Sequence, residues 1–259
     1  MTNEAILPED DTMSLSDYLA KGGKLTSPDN VPARYRGELL RLMSSFVDSE
    51  LAGSAGFADA INWAPGLKER IAASRITLEK VDHAERVLDL MSDFGTDKAL
   101  YNQAHAWSAR QPRDTHVDMK RQGGDMRLSV FHYPLESWTD AVVMNTLMGL
   151  ATVHQLQEQV LTSYQPLGEA FRKILPREQR HMELGLEGLE RLAGDEATRA
   201  DAQASVEYWM PRVAETFGPA QSPRFERLRQ MGLRHTDNET LRAAWKADAD
   251  ARLAELKLA

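Results

Sequence analysis

Several features that define common classes of protein are missing from this sequence. It has no cysteine among its 259 residues, which excludes disulfides, a thiolate nucleophile and a sulfur-ligated metal. It contains no run of about 18 apolar residues, so no membrane-spanning helix and no membrane partner are expected. The amino terminus also lacks the charged-then-apolar pattern of a signal peptide. We therefore expect a cytoplasmic protein.

The sequence also lacks a block of lysine and arginine. It carries 31 basic and 39 acidic residues, which give a formal net charge of −8. Proteins that bind nucleic acid usually concentrate positive charge on one face, and nothing in this sequence indicates such a face. We expect no nucleic-acid partner.

Hydrophobic periodicity predicts an all-α protein. Apolar residues recur at three- and four-residue spacing in six segments, whereas the alternation typical of strands is absent. The segments cover residues 35–57, 67–94, 136–164, 167–193, 196–217 and 237–257. A long connection, residues 95–135, separates the second segment from the third. This layout is typical of a ferritin-like four-helix bundle, here with extra C-terminal helices.

The chain divides into two unequal parts. Residues 1–30 are polar and contain two prolines and a pair of glycines, so we predict an extended arm that is ordered only where it docks. Residues 31–259 form the predicted helical domain.

The first long helix carries a charge on its apolar face. At about 100° per residue, Glu50 falls in the middle of the stripe formed by Leu39, Met43 and Val47. A carboxylate in such a position costs several kcal/mol unless it is paired or bound to metal. Glu50 is therefore a candidate functional residue.

Two other helices present similar groups. Lys80 and His83 lie on the apolar face of the second helix, and Glu178 and His181 form a Glu-x-x-His pair on the fourth. Glu79 is placed at the edge of its stripe, where we expect a solvated ion pair with Arg75 or Arg86.

The third helix offers no ionised group at the equivalent place. Gly149 occupies the centre of its stripe, and His154 and Glu158 are predicted to point outward. A lone Glu-x-x-His pair is more often part of a hydrogen-bonded core than a ligand set. Two glutamates and two histidines on three helices, however, match the inward-projecting ligands of dimetal bundles.

Five stretches carry a resemblance to a known family. The sequence resembles the phenylacetic acid catabolic family, and within it the catalytic alpha subunits of multicomponent phenylacetyl-CoA ring epoxidases. The stretches are FHYPLESWTDAVV (131–143), TSYQPLGEAFRKI (162–174), EQRHMELG (178–185), VEYWMPRVAETFGP (206–219) and RHTDNETLR (234–242).

The resemblance implies a ferritin-like protein with a diiron centre. Such a protein uses O₂ and electrons from a separate reductase to epoxidise an aromatic CoA thioester, in complex with a related, metal-free helical subunit. Glu50, His83, Glu178 and His181 match the family's ligand positions. Lys80 and Gly149 stand where two further carboxylates are expected.

These departures leave three hypotheses for the site. In the first, Lys80 replaces a ligand and holds Glu50 and Glu178 without any metal. The protein is then a structural or regulatory subunit, or a metal-independent enzyme acting on a related aromatic or acyl-CoA compound. Alternatively, an altered ligand set, for example His83, His181 and one glutamate, binds one or two irons, and the protein is an active O₂-dependent monooxygenase or epoxidase of aromatic CoA thioesters. Thirdly, Lys80 itself acts as an acid, base or nucleophile, with Glu50 and Glu178 beside it. The partner of the assembly is a second ferritin-like subunit or another copy of the chain.

Overall fold

The computed structural model describes residues 14–115 and 124–258, and within these residues the fold is all-α. The described residues form nine α-helices, and four of the connections between them contain a short 3₁₀ turn. The helices are α1 Leu15–Ala20, α2 Ala33–Ala60, α3 Leu67–Ser92, α4 Lys98–Asn102, α5 Trp138–Gln159, α6 Gln165–Gly194, α7 Glu196–Ala214, α8 Pro223–Gln230 and α9 Asn238–Glu255.

Four long helices make the central bundle. Helix α2 packs along α3, α5 packs along α6, and α3 also contacts α6. Helices α7 and α9 both pack against α5. The prediction of an all-α ferritin-like bundle with added C-terminal helices is confirmed.

Local signals set the ends of the bundle helices. The Ser137 side chain accepts a hydrogen bond from the backbone N–H of Asp140 at 3.1 Å and so caps the start of α5. Pro166 stands in the first turn of α6, where its missing N–H costs nothing. The connection between α3 and α5 contains α4, while its residues 116–123 lie outside the described ranges.

Apolar side chains form two main core clusters. One surrounds α5, α7 and α9 and contains the buried Trp209 and Trp245. The other surrounds the first half of α2 and contains Tyr35 and Phe171. Helix α2 contributes to both clusters, with Ala52 in the first and Leu39, Met43 and Val47 in the second.

The described part of the predicted arm docks on the body of the protein. Leu25 is buried and forms an isolated parallel bridge with Tyr164, in the turn between α5 and α6. Its N–H donates to Ser163 O at 3.2 Å, and its carbonyl accepts from Gln165 N at 2.8 Å. Residues 1–13 of the arm lie outside the described ranges.

The same turn receives two further segments. Ser163 N donates to Gly232 O at 2.8 Å, which ties the turn to the segment after α8. The Ser163 and Tyr35 hydroxyls lie 2.8 Å apart, which ties the turn to α2. The TSYQP stretch therefore joins segments that are far apart in sequence.

Helix α8 was not predicted, since its eight residues lie in a gap between the periodic segments. The segment PRFERLRQ contains two apolar residues, too few to establish a period. Among the described helices, none is long and apolar enough to cross a membrane.

Candidate functional site

Three bundle helices bring the five predicted site residues together. Glu50 projects from α2, Lys80 and His83 project from α3, and Glu178 and His181 project from α6. Their relative exposures are 4%, 6%, 0%, 2% and 1% respectively. The helical-face argument therefore placed all five side chains correctly in the interior.

The Lys80 ammonium lies between the two carboxylates. Its Nζ donates to Glu50 Oε1 at 3.1 Å and reaches Glu178 Oε1 and Oε2 at 3.2 and 3.3 Å. Burial works against the charged form, but the attraction of Glu178 and Glu50 is stronger and raises the pKa of Lys80 above its ordinary value. Lys80 is therefore protonated at neutral pH.

His83 contacts the same two carboxylates from the next turn of α3. Its Nδ1 lies 2.9 Å from Glu178 Oε1 and 3.2 Å from Glu50 Oε2. Burial alone would lower the pKa of His83, but hydrogen bonds and charge from the two glutamates raise it to about 9. The ring is therefore cationic at neutral pH, with Nδ1–H donating.

The four groups balance their own charge. Burial raises the pKa of Glu178, but the positive charge of Lys80 and the hydrogen bond from His83 bring that pKa well below its ordinary value. Two carboxylates then face one ammonium and one imidazolium. With both carboxylates ionised, the two negative and two positive charges of these four side chains sum to zero.

His181 has a second partner that we did not expect. Its Nε2 lies 2.7 Å from Glu79 Oε2, while its Nδ1 lies 3.3 Å from Glu178 Oε1 without hydrogen-bond geometry. The prediction that Glu79 forms a solvated ion pair with Arg75 or Arg86 was wrong. The edge of α3 that carries Glu79 faces α6, so its carboxylate turns to His181 and is 26% exposed.

Gly149, the third-helix position where a carboxylate was expected, packs directly against α6. A Cβ added at Gly149 would lie 2.9 Å from Met182 Cβ and 3.0 Å from Met182 Cα on α6. Such distances require the helices to move apart. Nearby, Asn145 on α5 donates to the backbone carbonyl of His181 at 2.8 Å, which fixes the segment that carries the Glu-x-x-His pair.

One residue that shapes the site was missed at the sequence level. A Cβ at Gly53 would lie 3.3 Å from Lys80 Cδ and 3.2 Å from the ring of Phe131. Gly53 lies one turn after Glu50 on α2, so the glycine leaves space for the aliphatic part of Lys80. A small residue one turn from a buried charge was the available signal.

The outward placement of Glu158 was also wrong. Glu158 is buried and binds Arg234 through Nε at 2.9 and 3.1 Å. It also accepts from the backbone N–H groups of His235 and Thr236. Its partners come from the segment before α9, which helical periodicity on α5 does not reveal. His154 is partly exposed and lies 2.7 Å from Asp248.

A cavity of about 350 Å³ adjoins the cluster. Its lining includes Glu50, Phe131 and Met148, together with Arg41 and Arg224. Arg224 binds Glu38 at 2.7 Å, whereas Arg41 has no ion-pair partner among the described residues. The cavity is thus lined by apolar side chains together with charges of both signs, since Glu50 and Glu158 line it as well as the arginines.

One group of side chains has the spacing of a metal site. The ligand atoms of Glu50, His83 and Glu178 lie within 4.8 Å of one another. This group contains one histidine and two carboxylates, whereas the set considered from the sequence also includes His181, whose Nε2 contacts Glu79. Carboxylate and imidazole ligands are suitable for iron, but Lys80 contacts both carboxylates of the group.

The fold and the site define a class: a ferritin-like helical bundle whose facing helices direct carboxylates and histidines inward. The sequence matches the phenylacetic acid catabolic protein family over residues 13–259, and the chain belongs to that family. It is similar to a subunit of 1,2-phenylacetyl-CoA epoxidase from Escherichia coli (strain K12). The two are 29% identical over 230 residues, which cover 86% of this chain and 69% of the relative.

Proposed function

We propose that this protein is a divergent alpha-subunit-like member of the family in which Lys80 takes the place of a dimetal centre. It binds an aromatic acyl-CoA or a related compound as a structural or regulatory subunit of an oxygenase assembly, or transforms it without metal. The observation that carries the proposal is the position of the Lys80 ammonium, within 3.3 Å of both Glu50 and Glu178.

Charge supports this proposal. Two divalent ions bring four positive charges, and the resemblance implies four carboxylates to offset them. Here Glu50, Glu178 and Lys80 together carry a net charge of about −1, before His83 is counted. The residues present therefore do not fit a two-metal centre.

Packing supports it as well. A carboxylate side chain at position 149 would need the space that Met182 fills, since a Cβ added there would lie 2.9 Å from Met182 Cβ. Gly53 provides the space that the Lys80 side chain occupies. At each of the two departures from the family pattern, the neighbouring residues thus accommodate the residue that is present. This supports a stable site rather than a damaged one.

The cavity supports the ligand class. Its volume of about 350 Å³ is at the lower end of the range for small-molecule sites, enough for an acyl group with part of its pantetheine arm. Arg41, which has no ion-pair partner among the described residues, offers a cation for a phosphate group. The related E. coli protein is named for phenylacetyl-CoA, and we extend that ligand class to this chain.

Elemental analysis tests the replacement of metal by Lys80. Protein purified from iron-supplemented cells should contain close to no iron or other transition metal. Lys80→Glu restores a third carboxylate and should bind Fe²⁺ or Co²⁺, whereas the exposed Lys68→Glu should not. A content near two irons per chain in the unmodified protein would overturn the proposal.

Calorimetric titration tests the ligand separately. Phenylacetyl-CoA should bind more tightly than free CoA, and Arg41→Ala should weaken both. Product analysis in air, with metal chelated, then separates a metal-independent enzyme from a subunit that only binds. If neither CoA compound binds in the presence or absence of a second helical subunit, the ligand part of the proposal fails.

A second candidate is an O₂-dependent iron monooxygenase or epoxidase with an altered ligand set. The spacing of Glu50, His83 and Glu178 favours it. In that case Fe²⁺ should bind to the unmodified protein with loss of the Lys80 contacts. His83→Ala should then abolish iron binding, and Lys80→Met should strengthen it.

A further inference from the structure

A second cavity, of about 200 Å³, lies between α3, α5 and α6 and shares no lining residue with the first. Most of its lining on α3 and α6 falls between two contacts that join these helices. At one contact Glu79 lies 2.7 Å from His181, and at the other Glu69 lies 2.9 Å from Arg191. About 15 Å of each helix separates the two contacts. We call this space the α3–α6 cavity.

The buried part of the lining is almost entirely apolar. Phe57, Ile76 and Ala141 are all buried there. Asn145 is the one buried lining residue with a polar side chain, and it donates through Nδ2 to His181 O at 2.8 Å. An apolar cavity of about 150 Å³ is large enough to hold benzene. The α3–α6 cavity therefore has room for one aromatic ring with a short chain attached.

Two aromatic side chains of the lining suit such a ring. Phe57 is buried and Trp138 is half-buried, and both line the cavity. Aromatic rings attract one another in edge-to-face and offset stacked arrangements, beyond the effect of burial alone. The lining therefore favours an aromatic ring over a saturated one of similar size.

The outer part of the lining carries an excess of positive charge. It contains four cations and two carboxylates, which are Lys68, Arg75, Arg180 and Arg191, with Glu69 and Glu187. The chain as a whole has a formal net charge of −8. The rim of this cavity thus differs in sign from the rest of the protein and favours an anion.

Three of these cations already have partners. Glu187 lies 3.1 Å from Arg180, 3.7 Å from Arg191 and 3.9 Å from Lys68. Arg180 also binds Glu183, at 2.9 Å. One carboxylate is therefore shared among three cations, and the charge of the rim is not fully compensated.

Two N–H groups of the lining have no partner among the described residues. The Arg75 guanidinium makes neither an ion pair nor a hydrogen bond with them, and the Trp138 indole N–H has no acceptor among them. A guanidinium presents a planar pair of donors that matches the two oxygens of a carboxylate. A carboxylate on the bound ring would give Arg75 the counter-ion that the described residues do not supply.

We propose that the α3–α6 cavity is a ligand site for a small aromatic carboxylate, with its ring against Phe57 and Ile76 and its carboxylate at Arg75. An inorganic anion would leave the apolar part of the cavity unfilled, and a neutral ring would leave the guanidinium unpaired. An aromatic carboxylate satisfies both parts of the lining at once. The site is separate from Glu50 and Lys80, so its test does not depend on the chemistry of those residues.

Calorimetric titration with 3-phenylpropanoate tests the choice of a carboxylate. The neutral 3-phenylpropanamide, which has nearly the same shape, should bind about fivefold more weakly. Arg75→Gln should weaken the binding of the acid by about fivefold and leave that of the amide unchanged. Arg70→Gln is the matched control, since Arg70 is an exposed arginine of α3 outside the lining, and it should affect neither compound.

Two further variants locate the ligand. Ala72→Phe fills the cavity and should abolish binding, while circular dichroism should show an unchanged helical content. Binding of 3-phenylpropanoate should also change the tryptophan fluorescence. Trp138→Phe should remove that change and retain binding, because the other four tryptophans lie outside the lining.

Several results would overturn the proposal. One is the absence of binding at millimolar concentration, and another is binding that Arg75→Gln and Ala72→Phe both leave unchanged. Equal affinity for the acid and the amide would exclude a carboxylate site. Equal affinity for 3-cyclohexylpropanoate would exclude the preference for an aromatic ring.

Discussion

Lys80 on α3 contacts both carboxylate oxygens of Glu178 on α6, at 3.2 and 3.3 Å, across 98 residues of sequence. Both side chains are almost completely buried. The pair therefore joins two helices through the interior of the bundle. Because each charge compensates the other, a substitution at either residue of this pair should also change the stability of the fold.

Lys80→Met should strongly destabilise the protein. It leaves Glu50 and Glu178 buried with only His83 to compensate them, and loss of one member of a buried pair typically costs about 3–5 kcal/mol. Urea unfolding with metal chelated measures this cost. Lys68→Met, at a site with 73% exposure, is the control and should change stability little. A cost below about 1 kcal/mol for Lys80→Met would contradict the buried-pair interpretation.

Stability should decrease at alkaline pH. The pKa of His83 is raised from its ordinary value of 6.5 to about 9 in the fold. A group with a raised folded pKa stabilises fully below its unfolded pKa, and this contribution disappears as the pH rises through the folded value. We expect a loss of up to roughly 3 kcal/mol between about pH 6.5 and about pH 9.5. In His83→Gln this decrease in stability should be absent. An unchanged dependence of stability on pH in that variant would count against the role of His83.

Gly149→Ala should destabilise the contact between α5 and α6. The new Cβ would lie 2.9 Å from Met182 Cβ, and such overpacking typically costs about 1–3 kcal/mol. The control is Gly37→Ala, in an exposed part of α2 where no atom lies within 4 Å of the added Cβ. That change should stabilise by about 0.5–1 kcal/mol. Thermal unfolding of both variants should therefore give shifts of opposite sign.

Glu158→Gln should loosen the segment before α9. The carboxylate holds Arg234 and two backbone N–H groups, and an amide cannot provide two charged acceptors. We expect a cost of about 1–3 kcal/mol and faster hydrogen exchange of residues 234–238. Glu190→Gln, at an exposed position on α6, should have neither effect. Unchanged exchange in Glu158→Gln would show that the backbone contacts hold the segment without the charge.

Much of the site followed from helix geometry. The positions of Glu50, Lys80 and Glu178 depend on which face of each helix is apolar, and that information is contained in the three- and four-residue periodicity. Their mutual contact also follows, because facing sides of a four-helix bundle meet in its core.

The features of the site that the sequence did not predict depend on contacts between distant segments. Glu79 lies at the edge of its helix, and its choice of His181 over an arginine depends on which helix lies beside that edge. Glu158 was predicted to face solvent because the segment that covers it begins 76 residues later, at Arg234. The role of Gly53 depends on the path of the Lys80 side chain. Periodicity describes one helix at a time and cannot supply such information.

The turn at Ser163 is connected by hydrogen bonds to the arm, to α2 and to the segment after α8. The stretch TSYQP, on which the family resemblance partly depends, thus has a structural role in connecting segments that are distant in sequence. Sequence searches that depend on this stretch will group proteins by how they are assembled. Members of such a group share an architecture, and only the residues inside the bundle indicate the chemistry of each site.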